Sequence, residues 1–259
     1  MIIPGLCSVT FRDCAVERIA AMVREHELGA IEWGADVHVP PGDLDAARRA
    51  RSVSEGLEVT YGSYLFAGGA DVGDDEIVAV IDTAAAIGAG TIRVWTPFGV
   101  TEADTRRSDV VAALRRAAAL AEQRGAVLAL EFHGGTLTET VTSTQALLDD
   151  VDAANLLTYW QPPYWISERT IGDDVADVLL LGPHLANLHV YEWTATPTVA
   201  RRPLAEGAER WRAVFDAVAT VARPAGLAGP RAAFLEFVAD DDPANFPADA
   251  ATLRNEVRR

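Results

Sequence analysis

Eight apolar stretches of strand length, each followed by a stretch of helical periodicity, predict a single closed (β/α)8 barrel, a TIM barrel, over residues 1–259. Two further observations favour a closed barrel over an open doubly wound sheet. The length of 259 residues fits the roughly 250 such a barrel needs, with nothing left for a second domain. Neither a GxGxxG nor a GxxxxGK[S/T] phosphate loop follows an early strand.

Taken in order, Gly5 to Thr10 reads as the first strand, and Ile19, Met22 and Val23 mark a helix from about Ala15 to Leu28 by their i, i+3, i+4 spacing. Ala30 to Trp33 is the second strand. Its loop, Gly34 to Gly42, ends where Asp43 caps a helix running to about Glu55. Leu57 to Ser63 is the third strand, with a helix over Asp74 to Ile87. Gly90 to Trp95 is the fourth, ended by Pro97 and followed by a helix over Ser108 to Arg124. The fifth strand begins at Val127, with a helix over Ser143 to Val151. Leu156 to Gln161 is the sixth, stopped by Pro162-Pro163, and a helix follows over Ile171 to Leu181. Leu185 to His189 is the seventh. A polar loop, Thr194 to Gly207, precedes an amphipathic helix over Ala208 to Ala222. Ala232 to Glu236 is the eighth strand, before a terminal helix. No solenoid repeat, low-complexity tract or linker interrupts the alternation.

Composition removes several classes of function. A formal net charge of −16, with no basic patch, opposes nucleic acid as a partner. No apolar run approaches the ~20 residues that span a bilayer, so no membrane partner is expected. The start, Met1-Ile2-Ile3-Pro4-Gly5, has neither the basic nor the long apolar region of a secretory signal. Cys7 and Cys14 lack zinc-site spacing and form no disulfide framework, so Cys7 is expected as a small buried apolar residue and the cytoplasm is the simplest compartment. Homo-oligomerisation stays open.

The chemistry is expected where strands end, on the βα loops. Val127 to Leu130 runs straight into Glu131-Phe132-His133-Gly134-Gly135. A bare glutamate closing a buried strand is costly to desolvate unless a basic group or a metal meets it. Four successive strands deliver Glu131, Gln161, His189 and Glu236 at corresponding ends, and together these suggest a metal site. Two carboxylates, an amide oxygen and one imidazole suit six-coordinate Mn²⁺, with Mg²⁺ or Co²⁺ as alternatives, better than tetrahedral zinc. Salt bridging, for example to Arg93, is the competing account of the glutamates. Five of six tryptophans (Trp33, Trp95, Trp160, Trp165 and Trp193) fall on or after strand ends, where indole faces can stack on sugar C–H surfaces. His38, Arg93, Trp95, His133, Trp165, Tyr191 and Trp193 are the expected substrate contacts. His26 and His184 are expected to be structural.

The order Glu on strand five, a polar ligand on six, His on seven and Glu on eight resembles the xylose isomerase-like TIM-barrel superfamily of sugar isomerases, ketose 3-epimerases, inosose dehydratase and apurinic endonucleases. Gly29-Ala30-Ile31-Glu32-Trp33-Gly34 and His189-Val190-Tyr191 extend the likeness along the chain. The resemblance implies that Glu131, His189 and Glu236 bind the metal and that the two glutamates form the acid/base pair. It also implies a keto-sugar, polyol or related carbohydrate substrate, isomerised or epimerised through a metal-bound enediolate. Two departures stand out: Gln161 where the family usually has aspartate, and Tyr164 where it usually has histidine. The first keeps two alternatives in play, a lyase or dehydratase on a keto-sugar or keto-glycoside, and a non-catalytic sugar-binding or subunit-interaction barrel. A nuclease ranks third, since the chain has too few strand-end histidines for a multi-metal site.

Overall fold

A computed structural model describes residues 2–69, 71–194, 200–227 and 229–258. The barrel strands are β1 (Ile2–Cys7), β2 (Ala30–Gly34), β3 (Glu58–Phe66), β4 (Thr91–Trp95), β5 (Val127–Leu130), β6 (Leu156–Trp160) and β7 (Leu185–Val190). A short hairpin, β8 (Glu192–Thr194) and β9 (Ala200–Arg202), precedes the last barrel strand, β10 (Arg231–Leu235). All eight barrel strands pair in parallel, and β1 closes on β10. Among the described residues eight α-helices cover the outside: α1 (Val16–Glu25), α2 (Leu44–Val53), α3 (Asp74–Ile87), α4 (Arg107–Glu122), α5 (Val141–Val151), α6 (Ile171–Leu181), α7 (Ala208–Thr220) and α8 (Phe246–Val257). Among the described residues no helix is long and apolar enough to cross a membrane.

Local chemistry sets the element ends. Asp43 caps α2 by accepting from the amides of Asp45 and Ala46 at 3.1 and 2.9 Å. Thr140 and Thr170 open α5 and α6 with reciprocal side-chain caps to Ser143 and Asp173. Ile19, Met22 and Val23 are buried on the inner stripe of α1, as their spacing predicts.

Strand alternation sorts side chains into two layers. One set faces the helices, including Ile31, Ile92, Val94, Leu128, Leu130 and Leu188. The other fills the barrel with Val127, Ala129, Leu157, Tyr159, Ala232 and Phe234. Continuing each inward series to the strand ends brings Cys7, Glu32, Gly62, Arg93, Glu131, Gln161, His189 and Glu236 into one top layer.

Three differences from the sequence-based expectations stand out. The first strand is Ile2–Cys7 rather than Gly5 to Thr10, and Ser8–Phe11 forms a 3-10 turn. Pro4 is tolerated within β1 because pairing with β2 begins only at Gly5 with Ala30, so its missing N–H faces no ladder partner. Strand β3 runs on to Phe66, with a register shift against β4 between Gly62 and Phe66. The expected polar loop contains β9, which pairs antiparallel with β8; residues 195–199 lie outside the described residues.

Candidate active site

The top layer is organised by one arginine. Arg93, 1% exposed, donates from Nε to Glu32 Oε1 at 3.0 Å and from Nη1 to Glu131 Oε2. Its guanidinium fits because position 62 is glycine: a Cβ there would meet Arg93 Nη2 and Glu32 Oε1 at 2.7 Å. Burial opposes ionisation of Glu32, but Arg93 and His189 outweigh it and bring its carboxyl down to about 2. Cys7 Sγ and Thr60 Oγ1 donate to the same carboxylate at 3.2 and 3.4 Å. Glu32 carries the same signal as Glu131, a carboxylate closing a buried strand, yet the residue pattern assigned it no role.

His189 links this pair to the far side of the barrel. Its Nε2 lies 3.2 Å from Glu32 Oε1, while Nδ1 lies 3.0 Å from Gln161 Oε1 and 3.4 Å from Glu236 Oε2. An ionised carboxylate can only accept, so Nε2 carries a proton and Nδ1 is the nitrogen turned toward the other oxygens. Burial lowers the imidazole, but Glu236, Glu32 and Glu131 prevail and raise it to about 9. Without a metal it is therefore an imidazolium, and the Nδ1 proton stands where a cation would stand.

Among the described residues two ligand sets are close enough to hold an ion: Glu131, His189 and Glu236, and Cys7, Glu32 and His189. The second is chemically poorer. Burial, then Glu32 itself, pushes the Cys7 thiol well above its usual range, and Glu32 is already engaged by Arg93. The first set fits a hard divalent cation, with Gln161 Oε1 beside its imidazole. The backbone fixes this set. The amides of Glu131 and Glu236 extend the sheet to Val94 O and Val190 O, both at 2.9 Å. Phe237 then takes φ 63°, turning the chain away directly after Glu236.

The sequence pattern of the xylose isomerase-like TIM barrel family matches residues 20–227. The chain belongs to that family. No curated protein sequence matches it. This xylose isomerase-like barrel is similar in fold to the probable 3-DHS dehydratase AsbF of Bacillus anthracis, with TM-score 0.76, 21% identity and 98% of each chain covered. It is similar to the apo form of 3-keto-D-glucoside 4-epimerase, YcjR, from E. coli, with TM-score 0.72, 15% identity and coverage of 98% of this chain and 100% of that one. A xylose isomerase-like TIM barrel protein from Mycobacterium smegmatis in complex with magnesium aligns at TM-score 0.69 and 15% identity over 100% and 97% of the two chains. At these identities the likeness is one of fold.

The remaining expected site residues fall into three groups in this xylose isomerase-like barrel. Trp95, His133 and Trp165 form one aromatic row, with centroids 4.6 Å apart for Trp95–His133 and 5.4 Å for His133–Trp165. Gly134 permits it, since a Cβ there would strike Trp165 at 2.6 Å. Tyr191 and Trp193 belong to a second row with Tyr164, each 4.5 Å from the Trp193 centroid, and Tyr164 joins the rows through Trp165 at 5.1 Å. Tyr191 itself is buried, its hydroxyl donating to Pro162 O at 2.6 Å. His38 and Arg93 form the third group, fully engaged by the protein. His38 Nδ1 is 3.0 Å from Ser8 Oγ and Nε2 3.0 Å from Cys14 O, so it ties the first two loops together; Arg93 is enclosed by its glutamates.

Proposed function

We propose that this barrel is a divalent-metal-dependent isomerase or epimerase of a keto-sugar, polyol or related carbohydrate, moving a proton on carbon beside a carbonyl. The observation that carries this reading is the charge of the buried centre. Three carboxylates, Glu32, Glu131 and Glu236, share this layer with one guanidinium, Arg93, which pairs with the first two, while Glu236 lies on His189. Once the Nδ1 proton of His189 is displaced, their charge exceeds that of Arg93 by two, the charge of one divalent cation. Glu131, His189 and Glu236 would hold that cation, with Gln161 as a neutral further donor. Mn²⁺ suits the mixed set best, with Mg²⁺ and Co²⁺ close behind. When bound, it supplies Lewis-acid stabilisation of negative charge developing on a substrate oxygen.

Glu236 is the group suited to take the proton. Burial pushes its carboxyl up, and Glu131 and Glu32 add to this against the pull of His189 and Arg93. Glu131, held through Oε2 by Arg93, would deliver a proton of its own, taken up beforehand from solvent, while Glu236 keeps the one it removed until turnover ends. Return to the opposite face gives an epimer, and return to the neighbouring carbon an isomer. The aromatic rows meet the C–H faces of the sugar and keep water from the exposed carbanion character. Gln161 favours a second reading, loss of a β-hydroxyl by a lyase or dehydratase, because an amide lowers the negative charge around the site. The free thiols Cys7 and Cys14 suit a cytoplasmic enzyme.

The test is proton exchange. Wild-type protein loaded with Mn²⁺ is expected to place deuterium from D₂O into a keto-sugar, and Glu236→Gln to lose this by about 10²–10⁴-fold. No incorporation across a broad panel of keto-sugars sinks the proposal. An enone absorbance without exchange into recovered substrate favours the dehydratase. Elemental analysis showing no metal, with sugar binding intact, points to the non-catalytic barrel.

A further inference from the structure

Between the loops that follow β6 and β7 lies a cavity of about 340 Å³. That is enough for one small ring, at the lower end of the ~300–1,000 Å³ of small-molecule sites. One wall is Tyr164, Tyr191 and Trp193, the second aromatic row, and the hydroxyls of Tyr164 and Tyr191 feel the charge of Glu236 and Glu131, so this wall separates the cavity from the active site. The opposite wall is charged. Asp174, 1% exposed, accepts from Arg169 Nε at 3.0 Å and lies 3.4 Å from Arg210 Nε. Behind this wall Arg210 Nη1 is 3.9 Å from Glu192 Oε2, which packs against Gly207.

These groups select a ligand by exclusion. The two guanidiniums face Asp174, Asp177 and Glu192, so no positive charge is left over for a phosphate or carboxylate. A purely apolar ligand would strip water from the lining N–H groups of Arg169 and Arg210 without replacing it, which costs free energy. A neutral ring with hydroxyls around its rim and C–H groups on its faces answers both walls at once. We propose that this cavity is a binding subsite for a neutral sugar ring, the second unit of a glycoside whose keto-sugar unit lies at Glu131 and Glu236. The subsite stands on the cavity; its link to a keto-glycoside rests on the proposed function.

The experiment has two arms. Saturation-transfer NMR on metal-free, full-length protein with methyl glucosides, maltose and cellobiose is expected to show binding of at least one of them. That binding is expected to weaken about tenfold or more in Trp193→Ala and in Ser167→Trp, which places an indole on the exposed rim of the cavity. Ser167 is exposed, so this variant keeps its thermal midpoint even if Trp193→Ala does not. No binding of any sugar, binding that survives Ser167→Trp, or preferential binding of inorganic phosphate overturns the subsite. In the second arm, wild-type D₂O exchange is expected to run at about tenfold higher kcat/KM on a 3-keto-glucoside than on the free 3-keto-hexose. Equal values overturn the keto-glycoside link. Exchange with neither compound overturns the proposed function while the first arm still decides the subsite.

Discussion

Two buried arginines stand at opposite ends of the barrel, and they are satisfied in different ways. At the N-terminal end Arg231 donates to the carbonyls of Leu185, Val221 and Ala222, at 2.9, 3.1 and 2.5 Å. Its partners are neutral, and that end of the barrel is complete as it stands. At the C-terminal end the hydrogen bonds of Arg93 go only to carboxylates, and a third carboxylate, Glu236, lies on His189 instead. One end is closed by hydrogen bonds to neutral carbonyls; the other gathers one more carboxylate than its arginine meets. The contrast separates stability from function within one fold, as expected for the two faces of a TIM barrel.

The strongest way to break the comparison is Arg93→Met. It leaves Glu32 and Glu131 buried without a counter-charge and is expected to cost ~3–5 kcal/mol in the metal-free protein. Mn²⁺ is expected to restore part of the loss, and urea unfolding with and without the ion measures both. Glu32→Gln comes next. It removes the carboxylate that orients His189 through Nε2, so metal affinity should fall by about 10–100-fold, and the metal-free midpoint should fall as well because Glu32 is paired with Arg93 and His189. Gln161→Leu is expected to weaken Mn²⁺ by a similar or smaller factor, and Gln161→Asp to strengthen it by adding charge. Equal affinity in both Gln161 variants and wild type would remove Gln161 from the metal shell. Arg231→Met should cost ~1–3 kcal/mol in unfolding and leave Mn²⁺ affinity unchanged. A shift in affinity there would mean that the two ends are coupled.

Acidity sharpens the same contrast. The His189 imidazole is raised to about 9, so its stabilising contribution to the metal-free protein is full below about 6.5 and is lost as pH rises through 9. Glu32, held at about 2, contributes above about 4.5 and loses that contribution as pH falls toward 2. Metal binding must displace the Nδ1 proton. Calorimetry in buffers of different ionisation enthalpy is therefore expected to show about one proton released near pH 7, declining above pH 9. No release at pH 7 would mean that His189 is already neutral.

Much of this centre can be read from the sequence because its members end buried strands. Glu131, His189 and Glu236 each follow an apolar run with nothing of opposite charge adjacent, and strand order alone brings them together. Glu32 ends Ala30-Ile31 in the same way, but a single carboxylate on a distant strand does not reveal which side chain it meets. Arg93 and His38 were legible as strand-end and loop polar residues. What they touch depends on side-chain reach, and both turn inward to protein partners. Gly62 reads as no more than a β-strand glycine, because the guanidinium it makes room for comes from the neighbouring strand. The β8–β9 hairpin escaped because three-residue strands, one of them Ala200-Arg201-Arg202, carry no period long enough to recognise.

The bond between Glu32 and His189 joins residues 157 positions apart. Strands β1 to β4 already hold Glu32 and Arg93, a matched pair that can form when half the barrel has been synthesised. Strands β5 to β10 bring Glu131, His189 and Glu236 without a guanidinium of their own in the top layer. The first half thus presents the second with two complementary docking points, Arg93 for Glu131 and Glu32 for His189. A one-residue slip of either half would turn these groups out of the barrel. The same contacts that shape the chemistry therefore act as a key for register when two half-barrels close into one, a late and long-range step in folding.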